Sequence, residues 1–187
     1  MDPRYHYFFA VKLPKEAKQF LKRWVEMNKE QYPFKRWVHY EDYHITLAFL
    51  GFAEQSMLKQ IIMQVHETLT GVDPFKLTID QLGTFGKKTN PRIFWAGVHH
   101  SDSLCSIQKK VYNQCIRTGF ELDRKPFRPH ITLARKWNGE EPFNDKTLTS
   151  ITIEGNSVTF QVEEIVLYET HLNQIPKYHE FYCFSLK

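Results

Sequence analysis

One pentapeptide, His-Ile-Thr-Leu-Ala, occurs twice in this chain of 187 residues, at 44–48 and at 130–134. Chance would supply it only about 10⁻⁴ times in a chain of this composition. Two strands that merely share a favoured apolar sequence would explain the repeated Ile and Leu. They would not explain why His and Thr recur with them. The repeat therefore indicates a duplication, or one chemical requirement imposed on two segments.

The spacing within each copy predicts a β-strand with one apolar and one polar face. Side chains alternate between the two faces of a strand, so Ile and Leu point to one side while His and Thr point to the other. If the two copies pack about a pseudo-two-fold axis, their polar faces meet. The predicted result is a cleft that contains His44, Thr46, His130 and Thr132.

The remaining patterns alternate between strands and helices, without low-complexity linkers. Alternating or continuous apolar runs predict strands at 5–13, 44–51, 75–82, 92–98, 130–135, 157–169 and 178–186. Apolar residues at helical spacing predict helices at 15–30, 54–69 and 102–118, the last capped by Gly119. The Gly- and Lys-containing segment 84–91 is predicted to be a loop. These elements predict two similar lobes with antiparallel sheets, within a single domain over 1–187.

Composition limits the class of protein. A hydrophobic share of 42% with 15% aromatic residues favours a folded domain, and the net charge of +4 is compatible with an anionic partner such as RNA. Three cysteines without CxxC spacing argue against a disulfide framework or a zinc site and favour a reducing cytoplasm. The N-terminal apolar stretch is too short and too charged to predict a signal peptide or a membrane span.

The predicted cleft suits the hydrolysis of a phosphodiester. Imidazole titrates near neutral pH, so one ring can act as a base while the other acts as an acid. Threonine hydroxyls can donate hydrogen bonds to the phosphate oxygens. A cyclic phosphate needs an in-line water and a protonated leaving oxygen, and two histidines supply both without a metal or another cofactor.

These motifs resemble those of the 2H phosphoesterase superfamily, which is defined by two His-x-Thr/Ser-x motifs. The stretches FFAVKLP at 8–14 and LGTFGKKTNPRIFWAGV at 82–98, together with Trp37, are similar to the RNA 2′,3′-cyclic phosphodiesterases, also called 2′-5′ RNA ligases. The resemblance covers most of residues 5–136. It implies an α+β bilobal fold, with two pseudo-symmetric lobes whose antiparallel sheets face a central cleft and whose helices lie outside.

The resemblance also implies a reaction and roles. RNA 2′,3′-cyclic phosphate ends would be opened to 2′-phosphates, with 2′-5′ ligation as the reverse reaction. By analogy His44 is the proton donor and His130 the proton acceptor, while Thr46 and Thr132 hold the phosphate. The pseudo-symmetry of the motifs cannot by itself choose between the two histidine roles.

Three further residues are predicted to bind substrate: Arg135, by resemblance, and also Phe9 and Arg92. A surface salt bridge is the alternative for Arg135, and a place in the core is the alternative for Phe9. Strict strand alternation would turn Arg135 away from the cleft, unless a bulge redirects it. The other histidine pairs lack a carboxylate or cysteine at ligand spacing, so surface positions are predicted for His99, His100, His171 and His179.

The expected partner is RNA with a 2′,3′-cyclic phosphate end, bound by a monomer. Two alternatives stay open. One is a 2H esterase acting on a small cyclic nucleotide or an ADP-ribose cyclic phosphate. The other is a non-catalytic RNA-binding module on the same scaffold.

Overall fold

The computed structural model describes residues 5–148 and 150–187. The strands in this part are β1 (His6–Lys12), β2 (Phe34–Trp37), β3 (His44–Phe52), β4 (Phe75–Lys87), β5 (Asn90–Val98), β6 (His130–Trp137), β7 (Val158–Val162), β8 (Glu164–Thr170) and β9 (Tyr178–Ser185). The α-helices are α1 (Lys15–Asn28), α2 (Gln55–Leu69) and α3 (Asp102–Thr118). None of these helices is long and apolar enough to cross a membrane.

The strands form an antiparallel sheet in the order β7-β4-β5-β6-β3-β1-β8-β9, and β2 adds to β6 beside this path. One half consists of β3, β1, β8 and β9, and the other of β6, β5, β4 and β7. The halves meet where β3 and β6 pair through Ile45 and Ile131 alone. The α+β fold and its antiparallel pairing are confirmed, and the two predicted sheets are halves of one sheet joined at this seam.

The apolar face of both motif strands packs into one core. Ile45, Ile131 and Leu133 are fully buried, and Leu47 is nearly so. They share this core with the apolar faces of all three helices, whose buried residues recur at helical spacing, as in Ala17, Leu21, Trp24 and Val25 of α1. Each fully buried Val, Leu or Ile side chain contributes about 1.5–3 kcal/mol. Because this face is covered by apolar packing, the polar face of the motif strands is left for a ligand.

Two predicted boundaries are wrong. The segment 84–91 is mostly strand, because β4 continues to Lys87 and β5 begins at Asn90, so that the two form a long hairpin. The predicted strand at 157–169 is two strands separated by Glu163, with β7 pairing with β4 and β8 pairing with β1 and β9. A continuous apolar pattern does not reveal that the chain crosses from one half of the sheet to the other. The short strand β2 was not predicted.

Candidate active site

The two motifs meet at the seam of the sheet. Since β3 and β6 run antiparallel and pair at Ile45 and Ile131, His44 and Thr132 lie on one side of this pair, and Thr46 and His130 lie on the other. All four polar side chains are partly exposed, whereas the intervening isoleucines are buried. The structure therefore brings together the four residues that the sequence analysis had placed in one cleft.

The same backbone contact orients both imidazoles. In His44, Nδ1 lies 2.7 Å from the carbonyl oxygen of Asp42, and in His130 it lies 2.7 Å from that of Arg128. A carbonyl oxygen only accepts, so Nδ1 carries the proton in each neutral ring and Nε2 keeps its lone pair. The hydroxyl of Thr46 lies 3.0 Å from Nε2 of His44 and donates to it. Each neutral histidine thus presents a basic nitrogen.

Aromatic rings hold the two histidines in place. The His44 ring packs against Phe8 at 4.8 Å between centroids and against Tyr178 at 5.0 Å, with Tyr168 at 6.0 Å. The His130 ring packs perpendicular to Phe85 at 4.9 Å. Such contacts restrict rotation of the imidazoles and exclude part of their hydration.

This burial makes both rings poor carriers of positive charge. It lowers the pKa of His44 to about 4; the hydrogen bond to Asp42 opposes the shift, and the charges of His130, Lys18 and Arg135 add to it. Burial also lowers the pKa of His130, again with a contribution from Arg135. Without a ligand, both imidazoles are therefore neutral at pH 7. An anion placed between them would raise both pKa values.

A β-bulge turns Arg135 toward the cleft. Thr132 pairs with Trp95 whereas Ala134 pairs with Phe94, so β6 contains one residue more than β5 at this point. The two consecutive residues Leu133 and Ala134 are both buried, and the exposed Arg135 then falls on the same face as Thr132. Its charge lowers the pKa of both histidines, which is consistent with a position near each of them. Strict alternation would have predicted the opposite face.

The first motif carries the matching bulge. The pairing of β1 with β3 shifts by one residue between Ala10–Thr46 and Phe9–Ala48. Phe49, which corresponds in the repeat to Arg135, is 55% exposed and lies on the cleft face. Both motif strands therefore have a bulge at the same place, and the residue that follows it is Phe49 in the first motif and Arg135 in the second.

The prediction that Phe9 contacts the substrate is wrong. Phe9 has no exposed surface and packs against Phe184 in the main core. Its neighbour Phe8 lies on the opposite face, where it supports the ring of His44. The FF dipeptide alone does not tell which phenylalanine faces the cleft, because that choice depends on the register of β1 against β3.

Two cavities meet at Phe85, and His130 lines one of them. The larger, of about 700 Å³, is lined by Thr46 and His130 and by the rings of Phe49, Phe85, Tyr112 and Phe127. Charged residues, namely Glu121, Asp123, Lys125 and Arg128, also line it, but most of its surface is apolar and we call it the apolar pocket. The smaller, of about 440 Å³, is lined by Phe85, Gly86, Arg92, Ile93, Lys125, Arg135 and Lys136, and we call it the cationic pocket. Arg92, which was predicted to bind substrate, lies in the latter.

Asp42 is a residue of the site that the sequence analysis missed. Its side chain is buried at 5% exposure, and Oδ1 accepts hydrogen bonds from the backbone N–H groups of Lys177, at 2.8 Å, and Tyr178, at 3.1 Å. Its own carbonyl oxygen accepts from His44. Asp42 therefore orients His44 through its backbone carbonyl, and through its carboxylate it holds the segment whose Tyr178 packs against the His44 ring. No local signal reveals this, since the partners lie more than 130 positions away.

Of the histidines predicted to lie at the surface, His99 and His100 do, whereas the side chain of His171 is largely buried and stacks on His179. His99 pairs with Asp80 at 3.1 Å, His100 with Asp102 at 2.9 Å, and His171 with Glu169 at 2.6 Å. Across 5–148 and 150–187, no three His, Cys, Asp or Glu side chains come together as a group that could hold a metal ion.

A family model described as the 2′-5′ RNA ligase superfamily matches residues 8–174. The chain belongs to this superfamily. It is 45% identical over 98% of its length to an RNA 2′,3′-cyclic phosphodiesterase of Geobacillus stearothermophilus, and spans 58% of that protein. It is 32% identical over 99% of its length to the protein of the same name from Bacillus subtilis, and spans 98% of it.

A solved structure extends the likeness to three dimensions. The crystal structure of E. coli LigT complexed with 3′-AMP is 23% identical and superposes with a TM-score of 0.82, covering 99% of each chain. At this identity the likeness shows a shared fold and nothing more.

Proposed function

We propose that this protein opens RNA 2′,3′-cyclic phosphate ends to 2′-phosphates by acid and base catalysis at His44 and His130. The observation that carries the proposal is the pair of imidazoles at one seam, each with Nδ1 tied to a carbonyl and Nε2 left as the reactive nitrogen. The activity for which the Geobacillus and Bacillus relatives are named supports the same reaction.

The reaction needs one protonated and one neutral ring. Neutral His130 takes a proton from water at Nε2 as the water oxygen attacks phosphorus. The bond from phosphorus to the 3′ oxygen breaks, and His44, protonated at Nε2, gives its proton to that oxygen. The product is a 2′-phosphate and a 3′-hydroxyl. His130 is left protonated and His44 neutral, and exchange of one proton with solvent at each ring restores the starting states. This assignment of donor and acceptor rests on family resemblance.

The surroundings of His44 fit the donor role. A bound phosphate anion favours protonation of His44. Because burial disfavours the imidazolium, the protonated ring then gives up its proton readily. The hydroxyl of Thr46, which donates to Nε2 in the structure, can turn to a non-bridging oxygen of the phosphate. Thr132 occupies the equivalent place in the second motif, and Arg135 can neutralise the anion.

The apolar pocket supports a nucleoside substrate. Its rings and its contact with Thr46 and His130 suit a base and ribose that are attached to the reacting phosphate. Microscopic reversibility allows the same two histidines to join a cyclic phosphate to a 5′-hydroxyl, which is the ligation that the superfamily name describes.

We propose further that the protein works as a monomer in the cytoplasm. One chain contributes both motifs, so the site is complete without a second copy. Cys105, Cys115 and Cys183 are all free, as is usual in a reducing compartment. Sedimentation equilibrium should give the mass of a single chain, and a stable dimer would contradict this part of the proposal.

Single-histidine variants test the mechanism. His44→Ala and His130→Ala should each lower kcat on a cyclic-phosphate RNA by about 10²-fold or more, because each removes one proton transfer. His100→Ala is the matched control, since its side chain is 77% exposed and lies outside the cleft. Near-normal turnover by either cleft variant would refute the two-histidine mechanism.

A further inference from the structure

The cationic pocket holds more positive charge than one reacting phosphate requires. Arg92, Lys125, Arg135 and Lys136 all line it, and no carboxylate does. Lys125 is paired with Asp123 at 2.9 Å. In the described part of the chain, no acidic group lies within salt-bridge distance of the other three cations.

Two bulges build this pocket. In the hairpin of β4 and β5, Phe85 pairs with Ile93 and Gly86 pairs with Pro91, which leaves Arg92 as the extra residue. Gly86 has φ +113°, and a Cβ there would lie 2.9 Å from the backbone nitrogen of Arg92. The second bulge is the one before Arg135 in β6. Both arginines are thus turned into one pocket by irregular pairing, as bulges beside functional sites often do.

Lys136, which also lines the cationic pocket, has a strained backbone. Lys136 has φ 62°, a left-handed conformation that side chains other than Gly and Asn seldom adopt. Such residues cost about 1–3 kcal/mol when they occur, and they concentrate at ligand sites. The strain, the two bulges and the unpaired charge all occur within the same pocket.

The pocket adjoins the reacting centre. Phe85 lines both cavities and packs against the ring of His130. Arg135 lines the cationic pocket and also acts electrostatically on both histidines. A ligand that extends from the histidines past Phe85 therefore enters a cavity suited to a second anion.

We infer that the cationic pocket binds the internucleotide phosphate on the 5′ side of the terminal nucleotide. This inference rests on the proposed function and names its substrate class: the ends of oligonucleotides, in preference to cyclic mononucleotides. Arginine forms paired, charge-assisted hydrogen bonds with phosphate, and Lys136 adds a point charge. A nucleoside 2′,3′-cyclic phosphate lacks this group and leaves the pocket without an anion.

Three substrates test the inference: uridine 2′,3′-cyclic phosphate, the dinucleotide UpU with a 2′,3′-cyclic end, and the same dinucleotide with an uncharged methylphosphonate linkage. The charged dinucleotide should exceed the other two in kcat/KM by about tenfold or more. Arg92→Gln and Lys136→Gln should each reduce the ratio between the charged and the uncharged dinucleotide. Both residues are exposed, so both variants should fold. Lys88→Gln, at the exposed hairpin turn outside the pocket, is the control and should keep the wild-type ratio.

Equal kcat/KM for the charged and uncharged dinucleotides would overturn the inference while leaving the proposed reaction intact. So would a wild-type ratio in both pocket variants. If none of the three substrates is opened, the proposed function fails, and the inference fails with it. Added NaCl should diminish the preference for the charged dinucleotide, because phosphate contacts by cations weaken with salt.

Discussion

Replacing Asp42 by alanine should destabilise the protein and disturb His44 together. The carboxylate accepts two backbone hydrogen bonds, at 2.8 Å from Lys177 and 3.1 Å from Tyr178. Hydrogen bonds to a charged group contribute about 1.5–3 kcal/mol each. Lys177 is exposed and can bind water instead, so the lower end applies and the total loss is about 3 kcal/mol. For a domain of this size, each kcal/mol lowers Tm by about 2–4 °C.

The same change should alter the titration of His44. Without the tether from Asp42, the segment that carries Tyr178 can move off the imidazole and let water reach it. Burial is the main cause of the low pKa of about 4, so the pKa of His44 should rise toward its ordinary value. Denaturant unfolding measures the first effect, and the pH dependence of the histidine ring proton signals in NMR measures the second.

Two variants serve as controls for Asp42→Ala. Asp42→Asn keeps an accepting oxygen and should lose only about 1 kcal/mol. Asp102→Ala removes a carboxylate whose side chain is 99% exposed, and should leave the free energy of unfolding nearly unchanged. If Asp42→Ala unfolds like the wild type and leaves the His44 titration unchanged, the tether has no such role.

Three other changes have distinct expected outcomes. His44 has a lower pKa in the folded than in the unfolded state, so the unfolded state binds more protons below pH 6.5. The free energy of unfolding should therefore fall as the pH drops from about 6.5 toward 4. This decline should be smaller in His44→Gln, which lacks the titrating ring. Arg135→Gln should raise the pKa of His44 and of His130, seen by NMR titration, and should weaken competitive inhibition by inorganic phosphate. Gly86→Ala should cost about 1 kcal/mol or more in denaturant unfolding and displace Arg92, because the residue has φ +113° and its new Cβ would meet the Arg92 backbone.

The polar face of each motif could be predicted because it depends on local alternation. Once Ile45 and Leu47 are assigned to a core, His44 and Thr46 must face the other way, and the structure has this arrangement. The repeat then required a second strand with the same property. No information from distant parts of the chain was needed for this step.

The rest of the site depends on pairing between distant strands. Whether Arg135 faces the cleft is decided by a bulge against β5, and Arg92 is turned by a bulge against β4. The choice between Phe8 and Phe9 follows from the register of β1 against β3. Asp42 matters because a loop from the end of the chain folds back onto it. Each of these is a property of the folded sheet, which alternation within a single segment does not encode.

End-group analysis of the reaction product tests the central claim most directly. A short RNA with a 2′,3′-cyclic phosphate end would be incubated with the protein and excess EDTA, and the terminal nucleotide then released and identified by chromatography. The two-histidine mechanism predicts a 2′-phosphate, formed at the same rate with and without the chelator. A 3′-phosphate, or loss of product when EDTA is present, would contradict it.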